Sequence, residues 1–352
     1  MNESILIVLD SFEYKRKEVE LKKIVRDYFI PTFYYTQYEN SFIKFFHKQK
    51  VIGGLVTRIS YWSISLASAF RILIKHRSAR KKIFINPIVA IFYTFLTRLI
   101  NRKENITISG FLFENKSNLY YYKFRKWFVN FSYANVNRII VYSSKEVSYY
   151  TGIFPNLSDK MLYIKYGRDF DYLITDSFAH NMPYISSGGR SNRDFNTLCQ
   201  AMEEVKINHP DLFCLIATRP ESVSGISITP VNITMRYDIR LNKFGSFIDN
   251  SLYFILPLIE TDISAGHMAL LEAMSLGKII LTTDISSIRD YVDENTVFFY
   301  KSENKSDLAK KICYIYENIE KKEIQAMAQS SKNCYFTYYS FNAFLERIIL
   351  TI

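Results

Sequence analysis

The chain has 352 residues, more than one hydrophobic core usually organises, and this length predicts two domains of comparable size. Hydrophobic residues make up 48% of the chain and charged residues 22%, which excludes a disordered protein. The 45 Lys and Arg outnumber the 34 Asp and Glu, and the net charge of +11 favours anionic partners such as nucleic acid, acidic lipid or phosphorylated small molecules.

Cysteine use and the N-terminal segment both favour a cytoplasmic location. The four cysteines lie far apart with no CxxC pair, which indicates neither a zinc site nor a disulfide framework. The opening MNESILIVLD is acidic where an export signal is basic, and its apolar run is only five residues long.

In the first half of the chain, short β-branched runs alternate with longer helical patterns, which is typical of βα units that build a parallel sheet. Apolar residues recur at helical spacing from Leu55 to Leu73, and Pro87 suits the first turn of a helix that continues to Ile100. The strand-like MLYIKY runs into Gly167, so we place the domain boundary near Tyr166. The predicted strands are Ile5–Leu9, Lys82–Ile85, Ile106–Leu112 and Arg138–Tyr142.

The second half repeats the alternation of strands and helices and is easier to interpret. Its last segment, Lys332–Ile352, is rich in Tyr, Phe and Leu and predicts one terminal helix with a buried side. The predicted strands are Tyr184–Ser186, Leu212–Ala217, Ile233–Arg236, Leu252–Leu256 and Lys278–Leu281.

The segment Glu260–Val292 predicts a strand, a loop of small residues, a helix from His267 to Leu276, a cap at Gly277 and another strand. A loop of small residues that opens a helix exposes unpaired N–H groups, so Gly266 and His267 are candidates for binding an anion. Glu272 lies inside the helix, where its carboxylate could accept hydrogen bonds from two adjacent hydroxyls.

The segment Tyr184–Leu198 predicts a strand that runs into Gly188 and Gly189, followed by two arginines and a helix. Glycines let a backbone approach a pyrophosphate closely, and the charges of Arg190 and Arg193 would neutralise it.

These two segments resemble the donor-binding region of glycosyltransferase family 4, whose helix carries Glu-Ala-Met-(Ala/Ser)-x-Gly, here residues 272–277. The resemblance implies that Glu272 holds the ribose of a nucleotide sugar. It also implies that Arg190 and Arg193 clamp the diphosphate, with Arg193 in the place of the family's lysine. The family's second glutamate, which contacts the donor sugar, is replaced here by Ser264. Either Glu260 or Asp262 substitutes for it from the same loop, or the sugar is held differently.

The resemblance implies the GT-B architecture, in which two Rossmann-like domains with parallel sheets face a central cleft. Residues 1–166 would bind the acceptor, residues 167–331 the nucleotide sugar, and residues 332–352 would form a helix crossing back to the N-terminal domain. The first hundred residues depart from the family pattern, because DSFEYKRK after the first strand lacks the usual glycines. The histidine that often follows is absent, and we assign neither His47 nor His76 to catalysis.

The same resemblance implies transfer with retention, in which an oxygen of the donor phosphate takes the acceptor proton, so no side-chain base is assigned. The sequence has no Asp-x-Asp motif after a strand, and we expect neither metal nor cofactor, since Arg190, Arg193 and the helix start at Gly266 and His267 would offset the charge. The expected acceptor is a saccharide or lipid-linked saccharide of a bacterial surface polysaccharide pathway, such as O-antigen, capsule or exopolysaccharide synthesis.

The segment Lys75–Lys82 places five Lys or Arg among eight residues, between two apolar helices. Such a cluster predicts peripheral contact with an acidic membrane, each charge adding about 1 kcal/mol near the surface. An ordinary solvated loop is the alternative. Neither helix predicts a membrane span, because Arg58, Arg71 and Arg98 interrupt them.

Two other functions stay open. A non-catalytic GT-B partner subunit would explain Ser264, and a GT-B sugar-nucleotide epimerase would share the donor site. A nucleic-acid-binding protein would explain the net charge, but the sequence shows no helix-turn-helix, zinc or RNP pattern, so no nucleic-acid partner is expected.

Overall fold

The computed structural model describes residues 3–38, 53–111, 113–114, 118–170, 176–226 and 229–352. The chain divides into two compact units: unit 1 comprises residues 1–164 with 345–352, and unit 2 comprises residues 165–344. Each unit contains a six-stranded sheet in which every paired strand is parallel, so the predicted α/β class with two Rossmann-like domains is confirmed.

The sheet of unit 1 has the strand order β2-β1-β3-β4-β5-β6. Ile5 to Leu9 on β1 are completely buried, which is typical of a strand covered on both faces. The strands are β1 (Ser4–Leu9), β2 (Ile30–Tyr35), β3 (Lys81–Phe84), β4 (Asn105–Ser109), β5 (Arg138–Val141) and β6 (Met161–Tyr163).

The helices of unit 1 begin at residues suited to capping. Asn86 accepts hydrogen bonds from the N–H groups of Ile88 and Val89, and Pro87 fills the first helical position of α3. Ser143 and Glu146 form a capping box at the start of α5. The helices are α1 (Glu18–Arg26), α2 (Gly53–Lys75), α3 (Pro87–Leu99), α4 (Leu119–Tyr133) and α5 (Ser144–Ile153), with 3-10 turns at Phe12–Lys17 and Pro155–Lys160.

The sheet of unit 2 has the order β12-β11-β10-β7-β8-β9, which is the doubly wound order with its reversal between β7 and β10. Alternate residues face opposite sides, so Phe254 and Leu256 join one hydrophobic cluster and Ile255 joins the other. The strands are β7 (Tyr184–Gly188), β8 (Phe213–Ala217), β9 (Ile233–Arg236), β10 (Phe254–Leu256), β11 (Ile280–Asp284) and β12 (Phe298–Lys301).

Helices cover both faces of this sheet. Residues of α7 and α8 belong to the cluster on one face, and residues of α6, α10 and α11 belong to the cluster on the other. The helices are α6 (Phe195–Asn208), α7 (Leu241–Asp249), α8 (His267–Leu276), α9 (Ser286–Arg289), α10 (Lys305–Asn318) and α11 (Lys322–Cys334), with a 3-10 turn at Pro220–Ser222.

The C-terminal segment differs from the single helix predicted over Lys332–Ile352. Helix α11 ends at Cys334, a π-helical turn covers Tyr335–Tyr339, and α12 runs over Phe341–Ile349 after an extended Ser340. The Tyr335 hydroxyl donates to the carbonyl of Arg168 at 2.8 Å, and the Tyr339 hydroxyl donates to the carbonyl of Tyr291. These aromatic residues hold the segment up to Phe344 in unit 2, and only residues 345–352 are grouped with unit 1.

Two strands, β2 and β12, were not among the sequence predictions. Both are edge strands, paired on one side only, and the burial of each is partial. Pro31 within β2 is tolerated because an edge strand leaves one side of its ladder unpaired. Pro31 and Thr32 interrupt the apolar pattern of β2, whereas β12 does have a short apolar run, FFY at 298–300, that the sequence analysis did not select.

Candidate functional site

The two segments singled out in the sequence meet at the strand reversal of unit 2. Strands β7 and β10 are neighbours there, with Phe254 opposite Ser186. Ligands of doubly wound sheets bind outside the carboxyl ends of the strands where the order reverses. The loops that follow Gly188 on β7 and Leu256 on β10 both start at that edge.

Hydrogen bonds join these two loops into one platform. The N–H of Asp194 donates to the carbonyl of Pro257 at 3.1 Å, and the N–H of Ile259 donates to the carbonyl of Asn192 at 3.1 Å. The carboxylate of Asp194 also caps α6 by accepting from the N–H of Thr197 at 3.0 Å. The loop after β7 is therefore fixed by the neighbouring loop and by the helix that follows it.

In the predicted phosphate loop, Gly188 and Gly189, an arginine side chain occupies the space beside Gly189. Gly189 has φ of 118°, a conformation that side chains rarely adopt, and a Cβ there would overlap the guanidinium of Arg193. Its N–H donates to the carbonyl of Ala217 at 3.0 Å, and its carbonyl accepts from the Thr218 hydroxyl at 2.7 Å. Gly189 thus admits the Arg193 side chain beneath the loop, whereas a Cβ at Gly188 would overlap the ring of Phe244.

Arg193 is tied to the backbone of its own loop. Its Nε donates to the carbonyl of Gly188 at 2.9 Å and its Nη1 donates to the carbonyl of Ser191 at 2.7 Å. Burial lowers the pKa of the guanidinium to about 10, so it stays cationic at neutral pH. Arg193 therefore positions the loop and contributes a positive charge beneath it, and direct contact with a diphosphate stays a prediction.

Arg190 is exposed and lies near a second arginine that the sequence analysis did not select. Burial, and then the charge of Arg219, lower the pKa of Arg190. Arg219 follows β8, and the Ser222 hydroxyl of the next turn donates to the carbonyl of Arg190 at 3.0 Å. Two like charges repel, and an anion bound between them would relieve that repulsion. Arg219 could have been found from the sequence, because it is a basic residue two positions after the end of a predicted strand.

Helix α8 begins as predicted, with Gly266 at its N-cap and Gly277 at its C-cap, both in the left-handed region. Because Gly266 has no side chain, it supplies no capping oxygen to the N–H groups of the first turn. His267 is buried, its Nε2 lies 3.0 Å from the carbonyl oxygen of Ser287, and its ring packs 4.2 Å from that of Tyr291. Burial is the main cause that lowers the pKa of His267 to about 4, so the imidazole is neutral. Its single ring N–H donates to the Ser287 carbonyl, which leaves the backbone N–H of His267 for an anion.

Glu272 is the most unusual polar residue of the helix. It is 2% exposed, and its Oε1 has no hydrogen-bond partner within the described residues. Burial raises the pKa of its carboxyl to about 8, against the opposing effect of the Arg168 charge. An unsatisfied buried oxygen costs about 1–3 kcal/mol, which a ligand hydroxyl could recover. Arg168, a second residue that the sequence analysis did not select, joins the site through this interaction.

The three candidates for the donor sugar lie on the loop between β10 and α8. Glu260 accepts from the hydroxyl of Ser286 at 2.7 Å and from its N–H at 3.2 Å, so it caps the first turn of α9. Asp262 is exposed and Ser264 is half-buried. The structure thus shows a structural role for Glu260, and the choice among the three for a sugar stays open.

The predicted residues fall into three neighbouring sets within unit 2. Arg193 and His267 interact electrostatically, as do Arg190 with Arg219 and Glu272 with Arg168. Convergence of all three sets on one bound molecule stays a prediction.

The basic segment 75–82 of unit 1 presents fewer free charges than its sequence predicts. Lys82 is buried and lies 2.9 Å from Glu104, and Lys81 lies 3.0 Å from Glu3, while Lys75, Arg77 and Arg80 are exposed. Two of the five charges are therefore paired because they belong to β3. His76 is half-buried and its pKa is lowered by burial, and His47 lies outside the described residues.

Comparison with known proteins shows the class of fold and a family that the second half of the chain resembles. Residues 180–318 match the family model described as Glycosyl transferases group 1. Three solved structures align over 99% of this chain with TM-scores of 0.60 to 0.62, which shows a shared fold. Their identities of 16% or less limit the likeness to the fold. The protein therefore has the GT-B fold and resembles the glycosyl transferases of group 1.

The three structures come from different bacteria. A glycosyltransferase from Rickettsia africae has 16% identity and a TM-score of 0.60, with 97% of its chain covered. The Anabaena HepE protein in complex with UDP and glucose has 10% identity and a TM-score of 0.60, with 99% covered. The trehalose 6-phosphate synthase from Burkholderia multivorans has 9% identity and a TM-score of 0.62, with 98% covered. A search of curated protein sequences gave no match.

Among the described residues, no helix is both long and apolar enough to cross a bilayer. Even α2, with 23 residues, lacks the combination of length and hydropathy that a span requires.

Proposed function

We propose that this protein is a glycosyltransferase that moves a sugar from a nucleotide sugar to a saccharide or lipid-linked saccharide. The observation that supports this most is the buried Oε1 of Glu272, which has no hydrogen-bond partner among the residues that the structure describes. Glu272 lies on the helix that starts at the strand reversal of unit 2. A buried acceptor of this kind suits a pair of ribose hydroxyls.

The proposal gives each group of candidate residues a role. Arg190, with Arg193 beneath the loop and the N–H groups at the start of α8, would hold the diphosphate. Arg219 would add a further charge beside Arg190. Glu260, Asp262 or Ser264 would face the donor sugar, and unit 1 would bind the acceptor.

The proposed chemistry is transfer with retention and without a metal. The bond from the anomeric carbon to the donor phosphate breaks, and a bond from that carbon to the acceptor oxygen forms on the same face. An oxygen of the departing phosphate takes the acceptor proton. Arginines and helix N–H groups would stabilise the negative charge that develops on the leaving diphosphate. Full turnover in the presence of a chelator would support metal independence.

We further propose that the protein acts in bacterial surface polysaccharide synthesis, in the cytoplasm, with peripheral attachment to an acidic membrane. Supporting this setting are the net charge of +11 and the exposed basic residues of unit 1.

The first experiment is a thermal-shift panel of UDP-, GDP-, dTDP- and ADP-sugars. A ligand at about 100 times its dissociation constant stabilises a fold by about 2.7 kcal/mol, which is readily detected. Stabilisation by one nucleotide class and its loss in Glu272→Ala would support the donor site, and no shift with any of the four would contradict it.

Turnover then separates the rivals. A non-catalytic partner subunit binds the nucleotide sugar but transfers nothing, and an epimerase forms a new nucleotide sugar without acceptor. Transfer to an added saccharide or lipid-linked acceptor is the result expected of the proposed function.

A further inference from the structure

Three helices of unit 1 form a continuous layer on one face of its sheet. Right-handed crossovers place the helices that link β2 to β3, β3 to β4 and β4 to β5 on the same side. In agreement with this, α2 packs against α3 and α3 packs against α4. We call the outward side of this layer the α2–α4 face. Its exposed apolar residues include Trp62, Phe70, Ile74, Leu99, Phe124 and Trp127.

Helix α3, in the middle of the layer, has both of its threonines on the inside, next to the apolar Val89 and Ala90. Thr94 and Thr97 are buried, and their hydroxyls donate to carbonyls of the same helix, at 2.9 Å to Ala90 and 3.0 Å to Thr94. The opposite side of the helix carries Ile88, Phe95 and Leu99. A helix on the surface of a globular protein normally has polar residues on its outward side. The outward side of α3 is therefore suited to an apolar environment.

Aromatic rings continue this apolar surface from α3 onto α4. The ring centroid of Phe95 lies 5.2 Å from that of Phe128 and 5.7 Å from that of Phe131. Trp127 stacks on Phe131 at 5.7 Å, yet 56% of Trp127 is exposed. Trp62 on α2 is 55% exposed, and these are the only two tryptophans of the chain. Tryptophan is enriched where a protein meets the headgroup level of a bilayer.

The charge of the chain is concentrated in the same region. Residues 53–133 contain 14 Lys or Arg and two Asp or Glu, a net of +12, so the rest of the chain together carries −1. The sequences of α2, α3 and α4 contain no Asp or Glu. Arg71 and Lys75 near the end of α2 and Lys123 on α4 are exposed. An occupant with negative charge would be attracted to these helices.

A second copy of the chain fits this face less well than an acidic lipid surface. Packing two such faces together would bring like charges close and desolvate them, which is costly. An acidic bilayer supplies both the negative charge and an apolar interior next to it.

We propose that the α2–α4 face is a membrane-binding surface for bilayers rich in anionic phospholipid, with Trp62 and Trp127 inserted at headgroup level. The proposal refines the peripheral attachment given under the proposed function, because it places the contact on a helical layer. Membrane binding through this face requires neither a nucleotide nor sugar transfer, so it can be tested separately from both.

The test uses the full chain and vesicles of phosphatidylglycerol with phosphatidylcholine, with pure phosphatidylcholine vesicles as comparison. We expect co-sedimentation with the anionic vesicles, weakening as salt is added, and a blue shift of the tryptophan emission. Because the only tryptophans lie on the proposed face, the emission reports on that face directly.

Matched variants assign the binding to this face. Lys123→Glu with Lys126→Glu should lower the vesicle partition coefficient at least about tenfold, since each basic residue contributes appreciably at an anionic surface. Lys310→Glu with Lys322→Glu makes the same change of charge on unit 2. This variant should change the vesicle partition coefficient less than about threefold. Trp62→Ser with Trp127→Ser should weaken sedimentation, whereas Ile207→Ser with Phe336→Ser on unit 2 should not.

Several results would overturn the proposal. These are no binding to anionic vesicles, equal losses in the unit 1 and unit 2 variants, or an unshifted emission despite sedimentation. A dimer in solution that Trp127→Ser dissociates would show that a second copy covers the face. The thermal unfolding midpoint of each variant, compared with that of the parent chain, shows whether the variant is folded. If vesicle binding is lost but nucleotide still raises the midpoint, this proposal fails and the proposed function stands.

Discussion

The Nε of Arg193 donates a hydrogen bond to the carbonyl oxygen of Gly188 at 2.9 Å, and Gly188 is the last residue of β7. A side chain that follows a strand thus returns to hold the end of that strand. Since Gly189 leaves room for the guanidinium, the loop and the arginine depend on each other, and a change at either should affect both stability and ligand binding.

Arg193→Ala is expected to lower the free energy of unfolding by about 1–3 kcal/mol, because hydrogen bonds from a charged group to two carbonyls are lost. It should also raise the dissociation constant of the nucleotide about tenfold. Urea unfolding measures the first effect, and calorimetric titration with the nucleotide that gives the largest thermal shift measures the second.

Arg190→Ala is the matched control for this change. Arg190 is exposed, so its removal should change the free energy of unfolding by less than about 0.5 kcal/mol while weakening nucleotide binding to a similar degree. Unchanged nucleotide binding in both variants would refute the diphosphate assignment.

The stability of the unliganded protein should depend on pH through Glu272. Burial raises the pKa of its carboxyl from 4.5 to about 8, so the folded state holds this proton more tightly than the unfolded chain does. The resulting stabilisation is complete below pH 4.5 and is lost as the pH rises towards 8, by on the order of 1–4 kcal/mol.

Glu272→Gln removes that titration and keeps the shape of the side chain. The free energy of unfolding of the parent chain minus that of the variant should therefore fall between pH 5 and pH 8 and level off above. Urea unfolding at pH 5, 7 and 9 measures this difference. A constant difference across that range would show that Glu272 is ionised in the folded protein.

Local patterns made helix α8 predictable from its sequence. It begins at His267 and ends at Leu276, as predicted, because Gly266 and Gly277 mark its two caps. Glu272 could be selected as a candidate because it is a charged residue within an otherwise apolar helix. The alternation of strands and helices likewise predicted the α/β class with two sheets.

Contacts between distant segments were not predictable from local patterns. Nothing near Arg193 in the sequence shows that its guanidinium turns under Gly189, and the approach of Arg219 to Arg190 depends on the pairing of β7 with β8. The interaction of Arg168 with Glu272 joins residues about a hundred positions apart. Strand order in space determines such neighbours, and periodicity along the chain carries no information about it.

A buried ionic cluster in unit 1 should make Glu104 critical for stability. Its carboxylate accepts from Lys82 at 2.9 Å, from Arg102 at 2.7 Å and from the Tyr93 hydroxyl at 2.5 Å. Glu104→Gln leaves the charge of Lys82 buried without its counter-ion, and we expect a loss of about 3–5 kcal/mol in the free energy of unfolding.

The exposed pair of Lys81 with Glu3 is the control for that cluster, at 3.0 Å. Glu3→Gln should cost less than about 1 kcal/mol, because solvent screens such a pair. Urea unfolding measures the free energy of unfolding of both variants. Equal losses would mean that the buried cluster stabilises the fold no more than an exposed ion pair does.

Two glycines at helix ends should respond in opposite directions to the same substitution. Gly277, which ends α8, has φ of 71°, and a Cβ there would lie 3.0 Å from Cδ of Lys332. Gly277→Ala should therefore lower the free energy of unfolding by about 1–2 kcal/mol.

Gly152 lies in the last turn of α5, and a Cβ there meets nothing within 4 Å. Gly152→Ala should raise it by about 0.4–1 kcal/mol, because alanine has less conformational freedom to lose. Thermal unfolding midpoints of the two variants, compared with the parent chain, give the two signs directly, and stabilisation by Gly277→Ala would show that the left-handed cap is not required.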